Sequence, residues 1–218
     1  MNRKKEIEQT ILQMSGDRSP YNVFEDWVEC MALSISNACQ MIHDKVYQDR
    51  EKKFTAIVQQ YKKPPVEKFA EMFVMLSETL ESGISDILGE IYMEMELGNK
   101  NTGQFFTPYH VSFMCAEASL QGYEGDRILT IHEPSCGGGG MIIAAAAVLS
   151  ERGMNYQKLM HVVAQDLDWK AVHMTYVMLS LMGINAVVAQ GDTLMEPYHP
   201  GYPKDRVFRT PANKGALI

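Results

Sequence analysis

The sequence predicts an α/β fold in which an α-helical N-terminal region precedes a parallel β-sheet with crossover helices. Two observations carry this reading. Up to residue 98 apolar side chains recur at spacings of three and four, whereas beyond it short β-branched runs alternate with helical stretches. A third observation is a run of four glycines immediately after the first β-branched run. The 218 residues suffice for one α/β domain plus a helical extension. The expected division is a helical region over 1–98 and an α/β domain over 99–218.

In the first region Phe24, Trp27, Val28, Met31, Ile35 and Ala38 mark one buried helix face. Stretches 52–61, 66–81 and 84–97 follow with the same period, and Lys62-Lys63-Pro64-Pro65 breaks the series with a turn. The charge-rich stretch 44–53 reads as a solvated face. In the second region 127–133, 160–165 and 184–190 read as strands, and 141–152 and 169–182 as helices. Strand, helix, strand, helix, strand with short links is βαβαβ, hence parallel.

A formal charge of −7 argues against a chain that grips DNA alone, because duplex affinity rests on Lys and Arg contacts to phosphate. No apolar run reaches the ~18–20 residues that cross a bilayer. The basic start, Met1-Asn2-Arg3-Lys4-Lys5, leads into no hydrophobic signal core, so a cytoplasmic protein without a membrane partner is expected. Cys30, Cys39, Cys115 and Cys136 have no metal-type spacing and read as reduced, mostly buried thiols; no metal site is expected. The 16 methionines read as core filler and partner-facing surface.

Glu133-Pro134-Ser135-Cys136 followed by glycines 137 to 140 leaves a strand and opens a helix. Such a turn lets the backbone approach a ligand closely, and the helix N-terminus offers free N–H groups. The carboxylate of Glu133 suits a cationic ligand group, such as the methionine ammonium of S-adenosylmethionine, better than a phosphate. The second strand ends in Gln165-Asp166-Leu167-Asp168. Asp166, at the strand tip, can accept from both hydroxyls of an adenosine ribose, while Asp168 suits the N-cap of the helix opening at Trp169. Asp192, at the third strand tip, can accept from the exocyclic amine of adenine. Ahead of the first strand, Thr107-Pro108 reads as a helix start with Thr107 as N-cap and Pro108 at the first helical position. Phe105 and Phe106 either cover the core or supply a wall for the cofactor, with Thr107 donating to its carboxylate. His132 reads as a buried strand residue rather than a base.

The segments LGNKNTGQFFTP, EPSCGGGG, AQDLDWKAVHMTYVMLSLMGI and GDTL, in this order, resemble the modification subunit of type I restriction-modification systems and related N6-adenine DNA methyltransferases. The likeness covers roughly 84–195. It implies a Rossmann-like S-adenosylmethionine-dependent methyltransferase core, here with an incomplete or shortened sheet, since three clear strands stand where such sheets have six or seven. By motif position it implies cofactor binding by Phe105, Thr107, Glu133, Cys136, Gly137, Gly139, Asp166 and Asp192. Glu133 stands where the family usually has Asp. The helical region resembles the part that helps hold DNA and partner subunits.

Methylating N6 of adenine requires activation of a poor nucleophile, because the amine lone pair is delocalised into the ring. The family does this with Asn/Asp-Pro-Pro-Tyr/Phe at the end of a fourth strand, accepting the amine hydrogens and stacking on a flipped base. That tetrad is absent from the chain. The nearest match in position is Thr210-Pro211-Ala212-Asn213, after a candidate strand 205–209. Two readings therefore stand: a DNA adenine-N6 methyltransferase-type protein of a restriction-modification or phage-like system whose catalytic half lies elsewhere, or a degenerate, non-catalytic cofactor-binding subunit acting through protein partners. A specificity or second subunit, in a homo- or hetero-oligomer, would supply DNA grip. Lys204, Arg206, Arg209 and Lys214 make the tail the most basic stretch of the carboxyl half.

Overall fold

The computed structural model describes residues 3–213 apart from 17, 64, 96 and 98–104. Five helices come first: α1 (Arg3–Met14), α2 (Pro20–Ala38), α3 (Lys45–Val58), α4 (Val66–Ser82) and α5 (Ile87–Glu94). Helix α2 opens with Pro20 and is capped by the Ser19 side chain, which accepts from Asn22 N–H. Helix α3 starts seven residues before the expected 52, because Asp44 caps it by accepting from Tyr47 N–H at 3.1 Å. Its charged stretch is solvated only in part. Arg50 is 8% exposed, lies over the Phe208 ring and donates to the Val207 carbonyl at 3.0 Å. The helical layer is thus tied directly to the sheet.

The carboxyl half runs α6 (Tyr109–Ser119), β1 (Leu129–Glu133), α7 (Gly140–Glu151), α8 (Tyr156–Leu159), β2 (Met160–Asp166), α9 (Trp169–Leu181), β3 (Asn185–Gln190) and β4 (Val207–Arg209). Strands β1, β2 and β3 pair in parallel, with Ile131 beside Val162 and Val163 beside Val187. The expected βαβαβ unit is present. The fourth strand departs from a purely parallel sheet: β4 pairs antiparallel with β3, placing Phe208 beside Val188, and the order is β1-β2-β3-β4. Among the described residues β1 is therefore an outer strand. That exposes His132, which the sequence placed inside the sheet.

The sheet is short and apolar on its middle strands, where Val162, Ala164, Ala186 and Val188 are fully buried. Helix α9 packs on β2 and β3 and, on its far side, against α2. Helix α7 carries four consecutive alanines, all buried, whose small side chains allow close packing along α6. One continuous hydrophobic cluster includes Ile7, Trp27, Leu76, Tyr92, Ile143, Tyr176 and Phe208, so it spans both halves of the sequence. Cys30 and Cys136 are buried and Cys39 and Cys115 exposed, all four as free thiols. Among the described residues no helix is long and apolar enough to cross a membrane, and no group of three metal-ligating side chains is assembled.

Candidate cofactor site

The site is built at the carboxyl end of the parallel strands, around the turn between β1 and α7. Two glycines there adopt backbone conformations that side chains rarely take: Gly137 has φ 52° and Gly139 φ 87°. Space is also limited. A Cβ on Gly137 would sit 3.0 Å from the Phe106 ring, and one on Gly139 would sit 3.1 Å from Thr175 Oγ1. The loop is fixed from three sides. Cys136 N–H donates to the Gln165 carbonyl at 2.9 Å, Thr175 Oγ1 donates to the Gly137 carbonyl at 2.9 Å, and Thr193 Oγ1 donates to the Pro134 carbonyl at 2.7 Å.

Asp166 ends β2 and receives two backbone donors, Gly137 N–H at 2.8 Å and Asp168 N–H at 3.0 Å. These bonds hold its carboxylate against the glycine loop. Asp168 caps α9 as expected, accepting from Lys170 N–H at 2.9 Å. Asp192 is exposed at the tip of β3 and accepts from Leu194 N–H at 2.9 Å. Glu133 is half-buried, and burial pushes its carboxyl above the ordinary carboxylate range despite the Ser135 N–H that it accepts. Burial likewise pushes the Cys136 thiol up to about 12, which leaves it protonated.

A cleft of about 230 Å³ opens beside the loop. Phe105, Phe106 and Thr107 line one side, residues 135–138 and Gly140 another, and Asp166 a third. Of the sequence-predicted residues, Phe105, Thr107, Cys136, Gly137 and Asp166 thus meet at one cleft. Glu133 and Gly139 adjoin its lining residues in the chain but are not on its wall, and Asp192, at the tip of β3, does not line it either. Phe106 is the packed ring, 4.9 Å from Tyr92 centroid to centroid, whereas Phe105 projects with 78% exposure. Thr107 is not the N-cap expected. Pro108, with ψ 136°, occupies that position, and its carbonyl receives Val111 and Ser112 N–H. Among the described residues the Thr107 hydroxyl makes no capping bond. Gly103 and Gln104 of the same motif lie outside the described residues.

Two lining residues were not singled out from the sequence. Asp86 is 3% exposed and caps α5 through Gly89 N–H at 3.0 Å. Burial, with a smaller push from Glu90, raises its carboxyl to about 7. Ser112 of α6 is fully buried, and its hydroxyl has no hydrogen-bond partner among the described residues. The Asp-x-x-Gly pattern at 86–89 signals a helix cap, but burial at a cleft 50 residues downstream is invisible in local sequence.

Thr210 and Pro211 lie elsewhere. Because β4 runs antiparallel, the chain leaves it at the amino end of β3, opposite the glycine loop. Thr210 is 2% exposed; its hydroxyl donates to the Ile184 carbonyl at 2.7 Å and accepts from Ala186 N–H at 2.9 Å. Asn213 donates to Asn185 Oδ1 at 2.9 Å. A larger cleft of about 400 Å³ lies at this end, lined among others by Arg50, Lys204, Arg209, Thr210 and Pro211. Despite its size it contains none of the strand-tip acids and none of the glycine loop, so the smaller cleft is the better candidate. Lys204, Arg206 and Arg209 are exposed here; Lys214 lies outside the described residues.

A glycine turn leading into a helix, with acids at the tips of parallel strands, is an arrangement that nucleoside-binding α/β folds share. Comparison with known proteins narrows the class. The sequence matches the N-6 DNA methylase family over residues 84–212, more than half of the chain, and the chain belongs to that family. Among solved structures it is similar to a Listeria monocytogenes protein described as a class I S-adenosylmethionine-dependent methyltransferase, at 17% identity and TM-score 0.47, covering 88% of this chain and 54% of that one. It is also similar to the methyltransferase subunit of a type I restriction-modification system from Streptococcus thermophilus, at 16% identity and TM-score 0.47, covering 84% of this chain and 42% of that one. The chain thus spans about half the length of these two structures. No curated protein gives a significant match.

Proposed function

We propose that the chain binds S-adenosylmethionine at the carboxyl end of β1–β3, as the cofactor-holding part of a DNA adenine-N6 methyltransferase. The observation that carries this reading is the convergence of Phe105, Thr107, the glycine loop and Asp166 on one cleft. The residues fit the group chemically. The loop excludes side chains where a ligand must approach, Asp166 has lone pairs beyond its two backbone bonds for ribose hydroxyls, and Thr107 is available to the carboxylate. Asp192 at the next strand tip would meet the adenine amine, with Cys136, Gly137 and Gly139 shaping the loop and Glu133 setting its start. When bound, the cofactor supplies a methyl group activated by its sulfonium.

DNA is the proposed substrate by family membership. A net charge of −7 means that a specificity or second subunit would provide most of the phosphate contacts. One observation favours the second reading, a subunit that holds cofactor without activating adenine: the Thr210 hydroxyl is consumed by β3 at the end of the sheet away from the cleft.

Calorimetric titration with S-adenosylmethionine tests the shared core of both readings; one-site binding is expected. Replacing Asp166 with Ala should weaken it by about 2 kcal/mol, the scale of a lost charge-assisted bond. A folded protein that binds no cofactor, or an unchanged affinity in the variant, contradicts the assignment. Transfer of tritiated methyl to unmethylated DNA by the isolated chain would then overturn the non-catalytic reading.

A further inference from the structure

We infer that Asp86 and Ser112 receive the amino-acid end of the ligand, Asp86 accepting from the ammonium and Ser112 donating to the carboxylate. This rests on the cofactor reading above and replaces Glu133, the residue the motif suggests for the ammonium, with an acid from the helical half of the chain. Three observations support the pair.

Both side chains line the cleft and converge on one point of it. A Cβ on Gly140, the first residue of α7, would lie 3.0 Å from Asp86 Oδ2 and 3.5 Å from Ser112 Oγ. The two oxygens therefore flank the start of the helix that the glycine loop feeds. Glu133 is not on the cleft wall.

Both groups are buried with polar capacity left over. The cap of α5 uses Oδ1 of Asp86, which accepts from Gly89 N–H. Among the described residues no donor is placed on Oδ2, and no Lys, Arg or His forms an ion pair with this carboxylate. Ser112 is completely buried and its hydroxyl has no partner among the described residues. A buried acid without a cation and a buried hydroxyl without an acceptor both carry a desolvation cost. A ligand presenting an ammonium and a carboxylate on one carbon relieves both at once.

Burial also grades in the sense the ligand needs. Asp86 and Ser112 are buried, Asp166 at the tip of β2 is partly buried, and Asp192 at the tip of β3 is exposed. Amino acid, ribose and base would then run from the buried end towards solvent.

The experiment compares two probes by calorimetry: S-adenosylhomocysteine, which has the amino-acid end, and methylthioadenosine, which lacks it. Asp86→Asn keeps the α5 cap, since Asn accepts at an N-cap as Asp does, but cannot neutralise an ammonium. It should weaken S-adenosylhomocysteine about tenfold or more and leave methylthioadenosine unchanged. Ser112→Ala should also weaken only S-adenosylhomocysteine, by several-fold, while the melting temperature stays level or rises because an unsatisfied hydroxyl has been removed. Equal affinity of wild type and Asp86→Asn for S-adenosylhomocysteine overturns the inference and leaves the cofactor reading standing. So does equal weakening of both probes. If the folded wild type binds neither probe, the cofactor reading itself falls.

Discussion

The segment after β4 and the segments around the glycine loop, at opposite ends of the parallel sheet, use their polar groups differently. At the amino end the polar side chains that follow β4 are answered within the protein: Thr210 bridges the Ala186 amide and the Ile184 carbonyl, and Asn213 reaches Asn185. At the carboxyl end, among the described residues, the Ser112 hydroxyl has no partner and Asp86 is buried without a cation, while two glycines hold left-handed backbone. Unmet polar demand is stable only where something else over-determines it or a ligand completes it. The amino end joins the sheet to its last strand; the carboxyl end carries the proposed cofactor cleft. A polar motif thus gains its meaning from the end of the sheet at which the strand order deposits it.

Substitutions can break this contrast. Thr210→Val keeps the shape but leaves the Ala186 N–H and Ile184 C=O short of partners in a buried setting, so it should cost about 3 kcal/mol in urea unfolding. Cofactor affinity at 25 °C should stay within a factor of about two, because the residue is remote from the cleft. A large loss of affinity with intact stability would move Thr210 into the site after all. Gly139→Ala should have the smaller stability effect, about 1–2 kcal/mol for an L-residue forced into left-handed backbone, yet it should lower affinity as well, because Thr175 must yield at the base of the loop. Full affinity in that variant would show that the loop conformation is not needed for binding.

Much of this architecture was legible in the sequence, and what was not shares a cause. The β-branched runs gave β1, β2 and β3 within two residues of their observed starts, since buried parallel strands carry a continuous local signal. The cap at Asp168 and the glycine loop are local signals too. Arg50 read as part of a solvated face because nothing nearby in sequence reveals Phe208 beneath it and Val207 beside it, 157 residues away. The direction of β4 was hidden for the same reason: three residues, Val207–Arg209, fit either pairing, and only the long connection from β3 turns them antiparallel. His132 emerged exposed because its strand lies at the sheet's edge among the described residues. Motif order named Phe105, Thr107, Cys136, Gly137 and Asp166, which line one cleft. It did not name Asp86 and Ser112, which line the same cleft because two helices meet Gly140 in space.

The most direct test of the contrast is amide hydrogen exchange of the folded chain with and without saturating S-adenosylhomocysteine. Protection should concentrate in residues 105–112, 134–141 and 166–168, where the glycine loop, the segment before α6 and the tip of β2 enclose the cleft. Exchange at residues 184–187 and 207–211 should be nearly unchanged. Protection confined to the Thr210 end, or saturation of the protein with no protection at the glycine loop, would contradict the account.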